Sequence, residues 1–302
     1  MLDGSHRIHL DLDTGVRIAL IDFGGAGPPA LLHHANGFCA GMWAEVAAGL
    51  RGRFRVFAMD ARGHGDSSKP DGASAYQWQH LAADAGEVAD RLAREHGPVA
   101  LGLGHSFGGT LLTLASLAMP DRFERLVIVD PIVRPVGGHL SRGPSLAEGA
   151  RRRRSVFESR EEARERWADK ELFAGWTPAA RELYLAEGLV GRPDGRVELK
   201  CPGEVEAAIF ENGPDADVMA AAQELVPPTL VLWAEGGNFP RAHFEDLASR
   251  MPRGEVRTAA CGHLVPMERP DLVVEEVLAF SARPAASARP TPQSPRAATP
   301  RG

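Results

Sequence analysis

A short apolar run that leads into a glycine-rich turn around a serine constrains the fold of this chain more than any other feature. The run 99–103 continues as Gly104-His105-Ser106-Phe107-Gly108 and then into a helix-favouring segment. In a strand–turn–helix unit, the flanking glycines permit a strained turn that lifts the serine hydroxyl clear of the sheet. The turn also places backbone N–H groups at a helix N-terminus, where developing negative charge is stabilised. The pattern predicts a nucleophilic Ser106; a glycine-rich structural turn or a phosphate loop is the alternative.

Short apolar runs alternate with longer helical patterns along most of the chain. This alternation predicts an α/β fold, with a mostly parallel sheet and helices on both of its faces. The first two runs, 7–13 and 16–23, flank Thr14-Gly15 and predict an antiparallel hairpin at the edge of the sheet. Later strands are predicted at 29–34, 54–60, 99–104, 125–130, 229–235 and 255–260, and helices at 41–50, 79–96, 107–118, 241–251 and 270–281.

One interval breaks the alternation and predicts an insertion. From about 134 to 224 the sequence is charged and helix-favouring and has no strand of the earlier apolar kind, so we expect a mostly helical cap over Ser106. The core built of the sheet and its helices would then comprise 1–133 and 225–283. Residues 284–302 consist mainly of Pro, Ala, Ser, Thr and Arg, which bury too little apolar surface to offset the entropy of ordering, and they are predicted to be a disordered tail.

Composition narrows the classes of partner. Of the 302 residues, 44% are hydrophobic, which is typical of a globular protein, and the net charge of −6 favours neither nucleic acid nor an anionic membrane. We therefore expect a small-molecule substrate. The first ten residues lack an apolar signal region and no apolar run is long enough to span a membrane, which predicts a cytoplasmic protein. Cys39, Cys201 and Cys261 form no CxxC pair, so no metal or cofactor is expected; the oligomeric state is not indicated.

A histidine near the other end of the chain is the predicted general base. The segment Ala260-Cys261-Gly262-His263 follows the last predicted strand and precedes the last predicted helix. His263 therefore stands in the order serine, acid, histidine along the chain. A surface or core histidine is the alternative, and His33 and His34 share the residue type but end an early strand.

The loop His34-Ala35-Asn36-Gly37-Phe38 predicts the second half of an oxyanion-binding site. It follows the strand at 29–34, where a backbone N–H can turn toward a substrate carbonyl. The N–H groups of Phe38 and Phe107 are the predicted donors, and His34, Asn36 and Trp43 are predicted to contact the substrate. A plain loop beside a core tryptophan is the alternative.

Together, these segments resemble the α/β-hydrolase superfamily in its capped, single-chain form, from Arg7 to Ser281. The resemblance includes the turn Asp60-Ala-Arg-Gly-His-Gly-Asp-Ser67, which is structural in that superfamily and implies that Arg62, His64 and Asp66 shape a loop. It also implies hydrolysis of an ester, thioester, lactone or related acyl bond through a Ser-Asp-His triad and an acyl-enzyme.

The acidic member of the triad departs from the usual pattern of the superfamily. The usual aspartate would stand at Gly237, in a G-x-x-D segment after the strand before the last. A second known location is the end of the strand that follows the helix after the Ser106 turn, the turn that the superfamily calls the nucleophile elbow; this chain has Asp130 there. Asp130 is the predicted acid and Glu235 its competitor; a capping role for Asp130 at the cap entrance is the alternative.

Several reactions remain open from the sequence. A serine at the elbow disfavours epoxide opening and dehalogenation, for which the superfamily carries aspartate there, and Tyr184 is the only tyrosine in the predicted cap. A cofactor-free C–C bond hydrolase, lyase or perhydrolase, and a ligand receptor without turnover, are the alternatives to an acyl hydrolase. The basic run 151–154 is predicted to be a solvated face offset by Glu158, Glu161 and Glu162, rather than a site for an acidic substrate or a coenzyme A phosphate.

Overall fold

A computed structural model describes residues 4–135, 145–213 and 217–283, so the predicted tail at 284–302 lies outside the described residues. In these ranges the strands are β1 (His6–Asp11), β2 (Arg17–Gly24), β3 (Pro29–His33), β4 (Arg55–Met59), β5 (Leu101–His105), β6 (Leu126–Val129), β7 (Val156–Phe157), β8 (Leu189–Gly191), β9 (Val197–Leu199), β10 (Thr229–Gly236) and β11 (Gly254–Gly262). Eight of them form one sheet in the order β1-β2-β4-β3-β5-β6-β10-β11.

The main sheet is antiparallel only at one edge. β1 pairs with β2, and β2 with β4, in antiparallel fashion, while every other pair in this sheet is parallel. The β1–β2 connection turns at Gly15, whose φ is 77°, as the predicted hairpin requires. Every residue of β3, β5 and β6 is buried, because helices cover both faces of the parallel part of the sheet. The predicted fold class is confirmed.

Helices lie on both faces of the main sheet. The α-helices of the described residues are α1 (Ala44–Leu50), α2 (Trp78–His96), α3 (Phe107–Ala118), α4 (Ser145–Arg152), α5 (Arg160–Ala168), α6 (Pro178–Glu187), α7 (Gly203–Asn212), α8 (Val218–Ala221), α9 (Arg241–Arg250), α10 (Val265–Glu268) and α11 (Pro270–Ser281), of which α4 to α7 lie in the segment between β6 and β10. One apolar core joins the sheet to α2, α3 and α9, and a second joins it to α1 and α11. No helix among the described residues has the length and apolar character to cross a membrane.

The segment between β6 and β10 contains a small sheet as well as helices. The strands β7, β9 and β8 pair antiparallel in that order, which the prediction of a mostly helical cap did not include. Strands of two or three residues carry no apolar run long enough to be recognised in a sequence. Val218 and Met219 of α8 pack into the same apolar core as α2 and α3, so the described chain rejoins the main core before the predicted boundary at 224.

Candidate active site

Ser106 occupies a strained turn between β5 and α3. Its φ of 54° and ψ of −121° are rare for a residue with a side chain, and only 6% of the residue is exposed. A Cβ added at Gly104 would lie 2.5 Å from Gly108 O, and one added at Gly108 would lie 2.4 Å from His33 O. The turn therefore excludes side chains at both positions, which is the physical reason for the two glycines around Ser106.

His263 connects Ser106 to Asp130. His263 Nε2 lies 2.9 Å from Ser106 Oγ, and His263 Nδ1 lies 2.5 Å from Asp130 Oδ2. Because a carboxylate accepts hydrogen bonds, Nδ1 carries a hydrogen and donates a hydrogen bond to Asp130. This tautomer leaves Nε2 free of a proton and able to accept that of Ser106. The structure thus brings the three predicted residues together in the geometry of a nucleophile, a base and an orienting acid.

Asp130 and Gly237 compete for the same space, which accounts for the departure from the usual motif. A Cβ added at Gly237 would lie 2.3 Å from Asp130 Oδ2, so a side chain there is incompatible with the acid at 130. Asp130 is fully buried after β6, whereas Glu235 is exposed to solvent near the end of β10. The structure places Asp130, and not Glu235, against the His263 ring.

Two residues that the sequence reasoning missed hold the loop that carries His263. His105 Nε2 donates to His263 O at 2.8 Å, and burial lowers the pKa of His105 well below its usual value. Gly262 N–H donates to Glu268 Oε2 at 2.6 Å. His105 is the variable residue before the elbow serine, and Glu268 follows His263 by five positions; neither pattern signals this role in the sequence.

The backbone N–H of Phe38, the donor predicted in the loop 34–38, is already engaged in a hydrogen bond. Phe38 N–H donates to Ala35 O at 3.2 Å, and Gly37 N–H donates to His64 Nε2 at 3.0 Å. No acceptor among the described residues is bonded to the Asn36 N–H, and Asn36 lines the same cavity as Ser106. The Phe38 N–H already closes a backbone turn, which is at odds with its predicted role as an oxyanion donor. Phe107 begins α3, where N–H groups have no partner within the helix.

His34 and Trp43 are not positioned to bind a substrate, contrary to the prediction. His34 is 1% exposed, accepts from Ala61 N–H at 3.0 Å through Nε2, and donates from Nδ1 to Ala35 O at 2.7 Å. Burial lowers the pKa of His34 to about 4, so the ring is neutral and joins two loops. Trp43 is 2% exposed and packs in the apolar core between the sheet and α1. His34 and Trp43 are therefore close in sequence to the residues that line the cavity, but their side chains do not point into it.

The turn 60–67 makes contacts of a structural kind. Arg62 forms a bidentate ion pair with buried Asp84, in which both nitrogen–oxygen distances are 2.6 Å. Asp66 lies 2.6 Å from Arg7 and 2.7 Å from Lys200, which ties the first strand and the segment after β9 to the turn. His64 accepts from Gly37 N–H and so supports the loop that carries Asn36.

A cavity of about 700 Å³ opens onto Ser106 and His263. The segment between β6 and β10 contributes a large part of its wall, including Tyr184, and the loop 34–38 contributes Asn36. The wall is mainly apolar, with Phe38, Trp78, Phe107, Ile132, Leu146, Leu172, Phe210, Phe239 and Leu264. Arg153 and Glu206, which the sequence reasoning did not assign to the site, also line this cavity.

The four arginines of the basic run are paired with acidic side chains. Arg151 binds Glu204 and Glu211, while Arg152, Arg153 and Arg154 bind Glu148, Glu206 and Glu162. Glu162 is one of the expected partners, and Glu148 lies one turn before Arg152 on α4. The partners on α7 were not expected, because they depend on the packing of α4 against α7.

The fold and the serine elbow at the carboxyl edge of its parallel strands are those of an α/β-hydrolase. The sequence profile described as "Alpha/beta hydrolase family" matches residues 30–276, and the chain belongs to this family. It is an enzyme of the α/β-hydrolase superfamily.

Individual relatives cover different reactions. The chain is 28% identical over 235 residues to the sn-1-specific diacylglycerol lipase ABHD11 of Mus musculus, which covers 76% of this chain and 72% of that protein. It is 25% identical over 292 residues to the soluble epoxide hydrolase of Corynebacterium sp. (strain C12), covering 91% and 96% of the two proteins. The crystal structure of E-2-(acetamidomethylene)succinate hydrolase superposes with a TM-score of 0.77 at 20% identity, covering 92% of this chain and 100% of that chain.

Proposed function

We propose that the protein is a serine hydrolase that cleaves an ester, thioester, lactone or related acyl bond of a small molecule through an acyl-enzyme. The observation that carries the proposal is the position of His263, 2.9 Å from Ser106 Oγ and 2.5 Å from Asp130 Oδ2. A neutral imidazole in this tautomer removes the Ser106 proton as Oγ attacks the carbonyl, and the buried carboxylate stabilises the imidazolium that forms.

The N–H groups of Asn36 and Phe107 would receive the developing oxyanion. They belong to the loop after β3 and to the first turn of α3, and both residues line the cavity beside Ser106. The imidazolium then gives its proton to the leaving group, and a water activated by His263 hydrolyses the acyl-enzyme. The largely apolar wall supports a substrate with aliphatic or aromatic groups around the reacting carbonyl.

The residue at the elbow separates this proposal from the reactions of some relatives. One relative is an epoxide hydrolase, and superfamily members that open epoxides carry an aspartate at the elbow, whereas this chain has Ser106. A serine oxygen forms an acyl-enzyme with a carbonyl substrate. C–C bond hydrolases, lyases and perhydrolases can use the same triad. Analysis of the products formed from matched ester and ketone substrates distinguishes these reactions from ester hydrolysis.

The test combines covalent labelling with turnover. A fluorophosphonate should modify Ser106, with the adduct located by peptide mass spectrometry, and a panel of esters graded by acyl length should be hydrolysed with steady-state turnover. Ser106→Ala should abolish both the labelling and the turnover, because loss of the nucleophile lowers the rate by several orders of magnitude. Thr113→Ser is the control for correct folding and purification, because Thr113 is a buried residue of α3 that does not line the cavity. Labelling without steady-state turnover would favour a ligand receptor, and undiminished turnover in Ser106→Ala would refute the proposal.

A further inference from the structure

The cavity wall contains one ion pair in otherwise mainly apolar surroundings. Arg153 Nη1 lies 2.7 Å from Glu206 Oε2, and both residues line the cavity that opens onto Ser106. The side chains are 25% and 13% exposed, respectively. Arg153 follows α4 and Glu206 lies on α7, so packing of these two helices brings the pair together.

The pair retains polar atoms that have no hydrogen-bond partner. Arg153 Nε and Glu206 Oε2 are both buried and make no hydrogen bond with the described residues, although Oε2 lies within ion-pair distance of the guanidinium. Arg153 Nη2 donates to Cys201 O at 2.9 Å, which fixes the orientation of the guanidinium. A buried ion pair generally contributes less to stability than an apolar pair of the same volume, because both charges lose their hydration. Folding alone therefore gives little reason for these two charges in the wall.

Glu206 also lies beside the loop that presents the Asn36 N–H. A Cβ added at Gly37 would lie 2.7 Å from Glu206 Oε1, and Asn36 Nδ2 donates to Glu206 O at 3.1 Å. A substrate group that contacts the pair would therefore lie only a few atoms from the carbonyl carbon attacked by Ser106. The positive charge of Arg153 compensates the carboxylate at this position, so that the oxyanion does not face an unpaired negative charge.

The charges of the pair decide which substrate group fits. A free carboxylate would be attracted by Arg153 but repelled by Glu206. An ammonium group would be attracted by Glu206 but repelled by Arg153. A neutral hydroxyl or primary amide both donates and accepts, so it can donate to Glu206 and accept from Arg153 without separating them. We propose, on the basis of the function inferred above, that the Arg153–Glu206 pair is a specificity site for a hydroxyl or amide group close to the reacting carbonyl, and that it rejects free carboxylates there.

Three ethyl esters test this specificity: ethyl hexanoate, ethyl 3-hydroxyhexanoate and monoethyl glutarate, with acid release followed by chromatography. The purified full chain should favour the hydroxy ester over ethyl hexanoate by about 10- to 100-fold in kcat/KM, the range expected for a hydrogen bond to a charged group. Monoethyl glutarate should be the poorest of the three. Equal kcat/KM for the first two esters, or preference for the carboxylate ester, would overturn the proposal.

Glu206→Gln should change the ratios between substrates in a defined direction. The variant leaves Arg153 as an uncompensated cation, so monoethyl glutarate should gain at least about 10-fold relative to ethyl hexanoate, while the preference for the hydroxy ester should fall. Arg151→Gln is the matched control, since Arg151 lies on α4 two residues before Arg153 and also pairs with carboxylates of α7, Glu204 and Glu211, but does not line the cavity; its ratios should equal those of the unmodified protein. Unchanged ratios in Glu206→Gln would refute the inference.

A second variant keeps the test decisive if Glu206→Gln does not fold. The double substitution Arg153→Met/Glu206→Leu replaces the pair with apolar side chains of similar volume, which buried ion pairs commonly tolerate. It should lose the preference for the hydroxy ester over ethyl hexanoate, because no group remains in the wall to bond the hydroxyl; retention of that preference would overturn the proposal. Hydrolysis of all three esters at equal rates would refute this inference alone, whereas no hydrolysis of any ester, despite an intact fold, would refute the proposed function and this inference with it.

Discussion

Replacement of Asp130 by asparagine should nearly abolish catalysis without unfolding the protein. Asparagine has the same shape as aspartate, but its NH₂ group would face His263 Nδ1 at the position where a carboxylate oxygen now lies 2.5 Å away. The imidazole would then carry its proton on Nε2, which could no longer accept that of Ser106. We expect kcat to fall about 10⁴-fold, which corresponds to roughly 5 kcal/mol of activation free energy.

The assay measures kcat on the best ester of the panel, together with the rate of fluorophosphonate labelling and the melting temperature. Both rates should fall in Asp130→Asn while the melting temperature changes little. Glu235→Gln is the matched control, because Glu235 is exposed and its substitution should alter kcat by no more than about twofold. An Asp130→Asn variant that keeps more than a tenth of kcat, or an equal loss in Glu235→Gln, would refute the assignment of the acid.

The relation between positions 130 and 237 permits a gain-of-function test. Gly237→Asp alone should destabilise the protein, since its Cβ would lie 2.3 Å from Asp130 Oδ2. In Asp130→Gly/Gly237→Asp the first carboxylate is removed, and glycine suits the φ of 40° at position 130. The double variant should recover part of the kcat that Asp130→Gly loses. A double variant no more active than Asp130→Gly would show that the end of β10 cannot supply the orienting acid.

Three further predictions concern the elbow, the structural turn and pH. Gly108→Ala should lower the free energy of unfolding, measured by urea titration, by about 1–3 kcal/mol or more, because its Cβ would lie 2.4 Å from a backbone oxygen. Gly149→Ala is the control, since Gly149 is exposed and a Cβ there would meet no atom within 4 Å. Arg62→Met should cost about 3–5 kcal/mol by leaving buried Asp84 unpaired, and Arg62→Met combined with Asp84→Leu should recover much of this loss; equal stability of the single variant and the unmodified protein would contradict the ion-pair argument. Burial lowers the pKa of four histidines, to about 3 and about 4 for the first two and well below the usual value for the others (His33, His34, His64 and His105). Since their folded pKa values lie below the unfolded value of about 6.5, the stabilisation is present above pH 6.5 and is lost as the pH falls. For His33 and His34 the loss is about 1 kcal/mol each between pH 6.5 and 5.5. A melting temperature that stays constant over that interval would exclude this account.

Features determined by neighbouring residues were predictable from the sequence. The G-x-S-x-G segment predicts its own turn, because the absence of side chains at Gly104 and Gly108 is a local requirement of the path between β5 and α3. The alternation of apolar runs and helical patterns likewise predicts the mostly parallel sheet, since each run is long enough to be buried on both faces. The short strands β7, β8 and β9 have no such pattern and were missed.

Features that depend on distant contacts required the tertiary structure. Asp130 and Glu235 both end strands in the sequence, and only the placement of β6 beside β10 leaves Asp130 buried against His263 while Glu235 faces solvent. Two N–H groups of the loop 34–38, those of Phe38 and Gly37, are already bonded to Ala35 and to His64. A residue pattern does not show which N–H groups of a loop are bonded in this way.

The direction of a side chain relative to the cavity was the least predictable property. His34 and Trp43 stand near the loop in sequence but are buried in other contacts, whereas Arg153, one of four consecutive arginines, lines the cavity because α4 packs against α7. The sequence by itself determined the chemistry available to this protein: a serine, a histidine and an acid in a hydrolase framework. The tertiary structure decided which acid lies against His263, which loop amides already have backbone or side-chain partners and which charged pair lines the cavity, because these positions are set by packing between elements far apart in the chain.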